Sequence, residues 1–328
     1  MSAHLFRQVE AQINVVRLAV GQTQPLLVSR AEWTQHNYAT AFTRLYALYE
    51  GFVKTLISDW VEALPSLVGS YSQLDERIRE EYMRGIGRIL AGADRGRYQN
   101  RVQKNQIIMA LYQNLVHDQS ERLFAEAFIY HDSNLRGDEL NKLFVKIGIK
   151  GVCKWLFSHR QVTATAAHLG MSASDALDDL VEQRNNAAHG NTLTTDGPSV
   201  LRAYADLTAA LCLALSEKVQ AERFERYDRA SGQYPCVGRI IDYDEGKQAA
   251  ILRLTPSATL ATGDLVLVYH TAKFVCAHAT VESLLQDGSP RNEVTGAENT
   301  RLELKLSARD LGKKELPGAE LFLVSSNR

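Results

Sequence analysis

The sequence is poor in cysteine: Cys153, Cys212, Cys236 and Cys276 stand far apart, with no C-x-x-C pair among them. That excludes a zinc ribbon and a disulfide framework, both of which need paired thiols, and it fits a reducing, cytoplasmic setting. An excess of one charge is also missing, because 37 Lys and Arg residues face 38 Asp and Glu. A chain so nearly neutral has no overall attraction for a polyanion, so any grip on nucleic acid must come from local clusters. The start, MSAHLFRQVEAQ, lacks the basic-then-apolar pattern of a secretory leader, and no later window reads as a uniform membrane span. The expectation is a soluble protein with no membrane partner. Fixed-period repeats and low-complexity tracts are absent too, which sets aside solenoids and linker-rich chains.

What remains is ordinary globular material, 328 residues of which 45% are hydrophobic and 23% charged, enough for two cores. Helical periodicity persists to about residue 228, and short alternating runs take over after about Tyr234. The boundary is expected within Arg229-Ala-Ser-Gly-Gln233, giving a helical domain over 1–230 and a second domain over 231–328. Helices are expected at about 29–64, where Pro65 stops the first, then at 72–91, 99–116, 119–130, 138–147, 149–158, 173–189 and 198–227. Strands are expected at about 236–243, 248–254, 264–270, 273–284, 301–306 and 320–324. Turn residues at Asp244-Glu-Gly246, Thr262-Gly-Asp264 and Leu316-Pro-Gly318 punctuate them. The fold class is therefore α+β and multidomain, an all-α helical bundle followed by a small antiparallel β-barrel.

One segment carries a pattern that bundle packing does not explain. In Leu177-Asp-Asp-Leu-Val-Glu-Gln-Arg-Asn-Asn-Ala-Ala-His-Gly190, residues Leu177, Leu180, Val181, Arg184 and Ala188 share a helical stripe, so an arginine continues an apolar face. A guanidinium in that position calls for an anion, either a carboxylate from a facing helix or a phosphate. His189 follows five residues on, roughly 140° round an ideal helix. Gly190, a usual helix terminator, is expected to loosen the last turn and let the imidazole approach Arg184, while the carbonyl end of the helix favours its charged form. Cutting RNA without a metal needs a base for the 2′-hydroxyl, an acid for the leaving 5′-oxygen and a cation on the phosphate oxygens. One motif supplies a single histidine, so two copies meeting across a two-fold axis are expected to complete the site. The amides of Asn185 and Asn186 are placed to orient the imidazole or bind phosphate oxygens.

This segment resembles the Arg-x4-to-6-His signature of the HEPN superfamily, with Asn185 as the polar residue that follows the arginine. Tyr46-Ala-Leu-Tyr-Glu-Gly-Phe-Val-Lys54 and Asp132-Ser-Asn-Leu-Arg-Gly-Asp-Glu-Leu140 resemble, in the same order, large HEPN-like nucleases of bacterial defence and toxin loci. The resemblance covers roughly residues 25–225. It implies an all-α homodimer that cuts RNA without metal or cofactor, with Arg184 and His189 as the catalytic pair and Asn185 in support. It also places Glu50 at an acidic position that orients Arg184 or His189, unless Glu50 is a plain solvated glutamate; Tyr49 stands where the family often has Trp. A non-catalytic HEPN dimer that binds RNA or a translation-associated partner is the alternative.

Other features are weighed on their residues. Arg84, Arg88, Arg95, Arg97, Arg101 and Lys104 face one acid, Asp94, and form either a phosphate-tracking surface for RNA or an ordinary solvated helix face. Gly85-Ile-Gly-Arg-Ile-Leu-Ala-Gly92 is no phosphate loop, since no strand precedes it and no Gly-Lys-Ser/Thr follows. His117, His131, His270 and His278 lack metal-ligand spacing, and no metal is expected. Val237-Gly-Arg-Ile-Ile241, Leu260-Ala-Thr-Gly-Asp-Leu-Val-Leu-Val268 and Val281-Glu-Ser-Leu284 resemble the second-domain barrel of translational GTPases, which implies recognition of RNA, a translation-associated or phage partner, or an antitoxin. Arg239, Lys247, Arg253 and Lys273 are available there for phosphate, or are ordinary strand positions.

Overall fold

Nine helices of seven residues or more appear among the described residues: α1 (Ser2–Ala19), α2 (Arg30–Val68), α3 (Glu76–Gly92), α4 (Lys104–Val116), α5 (Gly137–Lys146), α6 (Val152–Ser158), α7 (Arg160–His168), α8 (Ala173–His189) and α9 (Pro198–Arg223). This computed structural model describes residues 2–19, 30–92, 103–119, 122–130, 133–189, 198–307 and 311–325. The chain divides into two compact units, Met1–Ser216 and Glu217–Arg328, and the division falls within α9.

The first unit is organised on α2, whose three- and four-residue apolar spacing buries Phe42, Leu45, Tyr49, Phe52, Val53, Leu56, Trp60 and Leu64. Pro65 does not stop this helix. A proline lacks one N–H, so it costs the helix the single bond to Val61, and the following turn still closes as Gly69 N–H donates to the Pro65 carbonyl at 3.4 Å. Against α2 lie α1, through Val9, Ile13 and Val16, and α8. Trp60 reaches out of α2 to donate its indole N–H to the Ile147 carbonyl, at 3.1 Å, tying down the end of α5.

One expected helix is absent from the described residues. Residues 119–130 hold no α-helix among those described, only a 3-10 turn at Ala125–Ala127, because Leu123, Phe124, Ala125, Ala127 and Phe128 are all buried and leave no polar face to turn outward. Conversely, the polar-rich α1 and the short α7 are helices the apolar pattern did not announce. The stretch 93–102, in which the helix at 99–116 was to begin, lies outside the described residues, and α4 starts at Lys104. That helix is apolar on two sides: Ile107 and Ala110 are buried, while Ile108, Met109, Tyr112, Leu115 and Val116 are exposed. The segment from Pro198 to Ser231, mostly α9, has the length and composition of a membrane span, but its apolar window is mostly buried inside the protein, as in a core helix. Its Leu201, Tyr204, Leu207, Leu211 and Leu215 are buried as core side chains.

In the second unit, the end of α9 and a π-helical turn at Phe224–Asp228 lead into nine strands among the described residues. They are β1 (Cys236–Asp244), β2 (Ala249–Leu254), β3 (Thr259–Ala261), β4 (Leu265–His270), β5 (Val275–Gln286), β6 (Ser289–Arg291), β7 (Glu293–Thr295), β8 (Arg301–Leu306) and β9 (Glu320–Ser325). Antiparallel pairing runs β4-β9-β1-β2-β8-β5, and β4 pairs with β5 to close a six-stranded barrel. Closure leaves no edge among those six strands. Inward Val237, Ile240, Leu252, Val266, Val268, Leu302 and Leu321 fill it. The Gly-Asp step works as its chemistry suggests: Gly263 takes φ +91°, and the buried Asp264 carboxylate accepts the Ala261 N–H at 2.8 Å. The three-residue strands β3, β6 and β7 are too short for alternation to reveal. Phe224 packs on Tyr234, Tyr269 and Phe322, so residues that the sequence groups with the helices share a core with the barrel.

The glycines of α3 divide by what they touch. A Cβ on Gly85 would lie 2.1 Å from the Ala127 carbonyl oxygen, whereas one on Gly87 would meet nothing within 4 Å. Gly85→Ala is therefore expected to destabilise the fold by about 3 kcal/mol, because backbone must move. Gly87→Ala should stabilise it by about 0.5–1 kcal/mol. Urea denaturation of both variants checks the pair.

Candidate functional site

The helix that carries Arg184 begins with a reciprocal cap, in which the Ser172 hydroxyl donates to the Asp175 carboxylate at 2.7 Å and accepts the Asp175 N–H at 3.2 Å. From there α8 lays Leu177, Leu180 and Val181 into the core, and Arg184 follows on the same stripe, half-buried. Directly across from it, α2 presents Tyr46. The Tyr46 hydroxyl accepts the Leu135 N–H at 2.9 Å and donates to the Asn134 side-chain oxygen at 3.5 Å, while Tyr49 donates to the Leu135 carbonyl at 3.4 Å. Two tyrosines of one helix thus fix the loop ahead of α5.

That loop and α8 meet at the guanidinium. Arg184 Nη1 donates to Asn185 Oδ1 at 3.0 Å and to Asn134 Oδ1 at 3.4 Å, and Asn134 Nδ2 donates to the same Asn185 oxygen at 3.1 Å. The guanidinium carbon stands 4.9 Å from the centre of the Tyr46 ring. Every one of these partners is neutral, since burial pushes the Tyr46 phenol above its ordinary value, with the charge of Glu50 adding to the rise and the Leu135 bond and Arg184 opposing it. Among the described residues no carboxylate pairs with Arg184. Of the two anions the sequence left open, the facing-helix carboxylate is not found among the described residues. Among the described residues the arginine is held in place by neutral groups alone.

A family model described as RiboL-PSP-HEPN matches residues 32–221, more than half of the chain. The chain belongs to the RiboL-PSP-HEPN family. No curated protein and no solved structure matches it. The HEPN match takes in Tyr46, Asn134, Arg184 and His189 and stops short of the barrel.

Elsewhere in the HEPN unit the expected site residues are scattered. His189 is the last residue of α8 and is exposed. Because α8 stays helical through His189, the loosened turn expected from Gly190, which itself lies outside the described residues, does not bring the imidazole round to Arg184. The ideal separation of roughly 140° stands. Asn186 is half-buried on the same turn. Glu50 is half-buried and ion-paired with Lys54 one turn on. In the basic cluster, Arg84 pairs with Glu81, and Arg88 packs over the Tyr130 ring at 5.1 Å with a bond to the Ala127 carbonyl at 3.5 Å, a packing role rather than an open phosphate contact. Lys104 is exposed at the start of α4, whereas Arg95, Arg97 and Arg101 lie outside the described residues. The described residues contain no group of three His, Cys, Asp or Glu side chains placed to hold a metal ion.

Asn134 and Tyr46 contact Arg184 although the Arg and His spacing alone does not name them. Both segments that resemble HEPN nucleases, 46–54 and 132–140, contain them, so the signal was present as a stretch and not as a residue. A cleft of about 500 Å³ opens beside Asn134, lined in part by Ser133, Arg136, Phe157 and Asp178. Arg136 and Asp178 bridge it at 3.5 Å. Tyr46→Phe deletes the acceptor for the buried Leu135 N–H, so it is expected to cost about 1–3 kcal/mol in urea denaturation. An unchanged midpoint would show that the loop is not held by this bond.

Proposed function

We propose that the HEPN unit is an endoribonuclease that cuts RNA without a metal ion, at a site completed by a second copy of the chain. The uncompensated charge of Arg184 carries this reading, because a half-buried guanidinium held only by amide oxygens and an aromatic ring is prepared for a phosphate. In the reaction, a neutral His189 takes the 2′-hydroxyl proton as that oxygen attacks the adjacent phosphorus. The bond from phosphorus to the 5′-oxygen breaks, and the protonated imidazole of the other copy's motif gives its proton to the leaving oxygen. A 2′,3′-cyclic phosphate and a free 5′-hydroxyl result. Arg184 neutralises the oxygens on phosphorus, and Asn185, bonded to it, fixes its direction. The helical separation of Arg184 and His189 within one α8 favours a composite site, since one chain alone points the two groups apart.

The biological setting that suits such an enzyme is a toxin or phage-defence effector acting in the cytoplasm, with the barrel choosing RNA, an antitoxin or a translation-associated partner.

Arg184→Ala and His189→Ala are each expected to lower RNA cleavage in excess EDTA by about 100-fold or more. The wild-type products should carry cyclic phosphate ends, and specific activity should fall on dilution through the dimer's dissociation range. RNA binding with no cleavage by the wild type would favour a non-catalytic HEPN dimer, and full cleavage by both variants would contradict the proposal.

A further inference from the structure

Strand register in the barrel puts like charges side by side. Arg239 of β1 pairs directly with Arg253 of β2, and Arg253 pairs directly with Arg301 of β8. All three are exposed, Arg239 and Arg253 between buried neighbours and Arg301 next to buried Leu302, so they form one row across three adjacent strands on the outer wall. Directly opposed like charges on neighbouring strands destabilise a sheet, so a structural account would predict an acid somewhere in the row. The acid at its end, Glu320, which pairs in register with Arg239, is bonded to Arg229 at 3.0 Å. Arg239 spends its Nε on the Gly318 carbonyl, at 3.3 Å. Neither Arg253 nor Arg301 has a side-chain hydrogen bond or ion pair among the described residues. The other candidate cations of the barrel are already engaged: Lys247 binds both oxygens of Glu303, at 2.8 and 2.9 Å, and Lys273 donates to the Pro317 carbonyl at 2.8 Å.

From this row we infer that the outer face of β1, β2 and β8 is a binding site for the phosphate backbone of an RNA strand. Three guanidinium groups in line, spaced as strands are, at about 5 Å, match a linear polyanion better than a compact one. Contacts of this kind fix a strand in place without reading its bases. The site lies outside the HEPN match and does not depend on any chemistry at Arg184.

The test uses the full chain and a fluorescent single-stranded RNA with 2′-O-methyl groups throughout, which keeps every phosphate but has no 2′-hydroxyl to attack. Binding is read by anisotropy at several salt concentrations. The double variant Arg253→Gln with Arg301→Gln is expected to bind about tenfold more weakly and to reduce the slope of log affinity against log salt by about 1.4, two phosphate contacts at about 0.7 each for a single strand. Its thermal midpoint should stay level or rise, because repulsion is relieved. Arg253→Lys with Arg301→Lys, which keeps the charge, should recover most of the affinity. Unchanged affinity and slope in the glutamine variant would overturn the inference. So would equal competition, per charge, by inorganic phosphate or poly-glutamate, which would mark a site for free anions or an acidic protein. Because the probe cannot be cleaved, failure here is distinct from failure of the nuclease reading.

Discussion

Everything proposed for the helical unit depends on how one guanidinium is restrained. At an effective dielectric near 20, a carboxylate 4 Å away would hold Arg184 by roughly 4 kcal/mol, and an incoming phosphate would have to displace it. Instead the restraint comes from two amide oxygens and the face of Tyr46. These contacts fix direction and leave the positive charge for a ligand. The arrangement has a cost, because a half-buried cation without a counter-ion is poorly solvated, and it persists only where the surroundings hold it.

Those surroundings are a chain of ordinary packing events. The apolar stripe of α2 sets the depth of Tyr46 and Tyr49, their hydroxyls clamp Leu135 by both its N–H and its carbonyl, and that clamp places Asn134 over α8. On the far side, Trp60 anchors the end of α5, and Gly85 lets α3 lie directly on the Ala127 backbone. The barrel handles charge differently. Its Lys247 and Lys273 are satisfied locally, whereas Arg253 and Arg301 make no side-chain bond among the described residues.

How much of this the sequence disclosed follows from the range of the interactions concerned. Local ones were legible: the 17-residue α8 and the six barrel strands appear at or within two residues of their expected bounds, because periodicity and turn chemistry act over neighbouring positions. Arg184 stood out because it breaks an apolar stripe. What was hidden is long-range. Asn134 lies 50 positions from Arg184, and the row of Arg239, Arg253 and Arg301 exists only once β8 pairs with β2. Residues 119–130 misled because Leu123, Phe124, Ala127 and Phe128 have helical spacing yet are buried around a 3-10 turn, and Pro65 misled because a helix near its end survives the loss of one bond. The membership of residues 217–228 in the barrel's unit depends on Phe224 finding Tyr269 and Phe322, which no local pattern reports.

The most direct measurement exploits the near-identity in shape of asparagine and aspartate. Asn134→Asp would place a carboxylate beside Arg184 with the volume and the Tyr46 contact kept, exchanging the bond that Asn134 Nδ2 donates to Asn185 for an ion pair. If the uncompensated charge is what the site depends on, this variant will keep or gain stability in urea yet cut RNA at least tenfold more slowly at neutral pH. An undiminished rate in a well-folded Asn134→Asp protein would contradict the account.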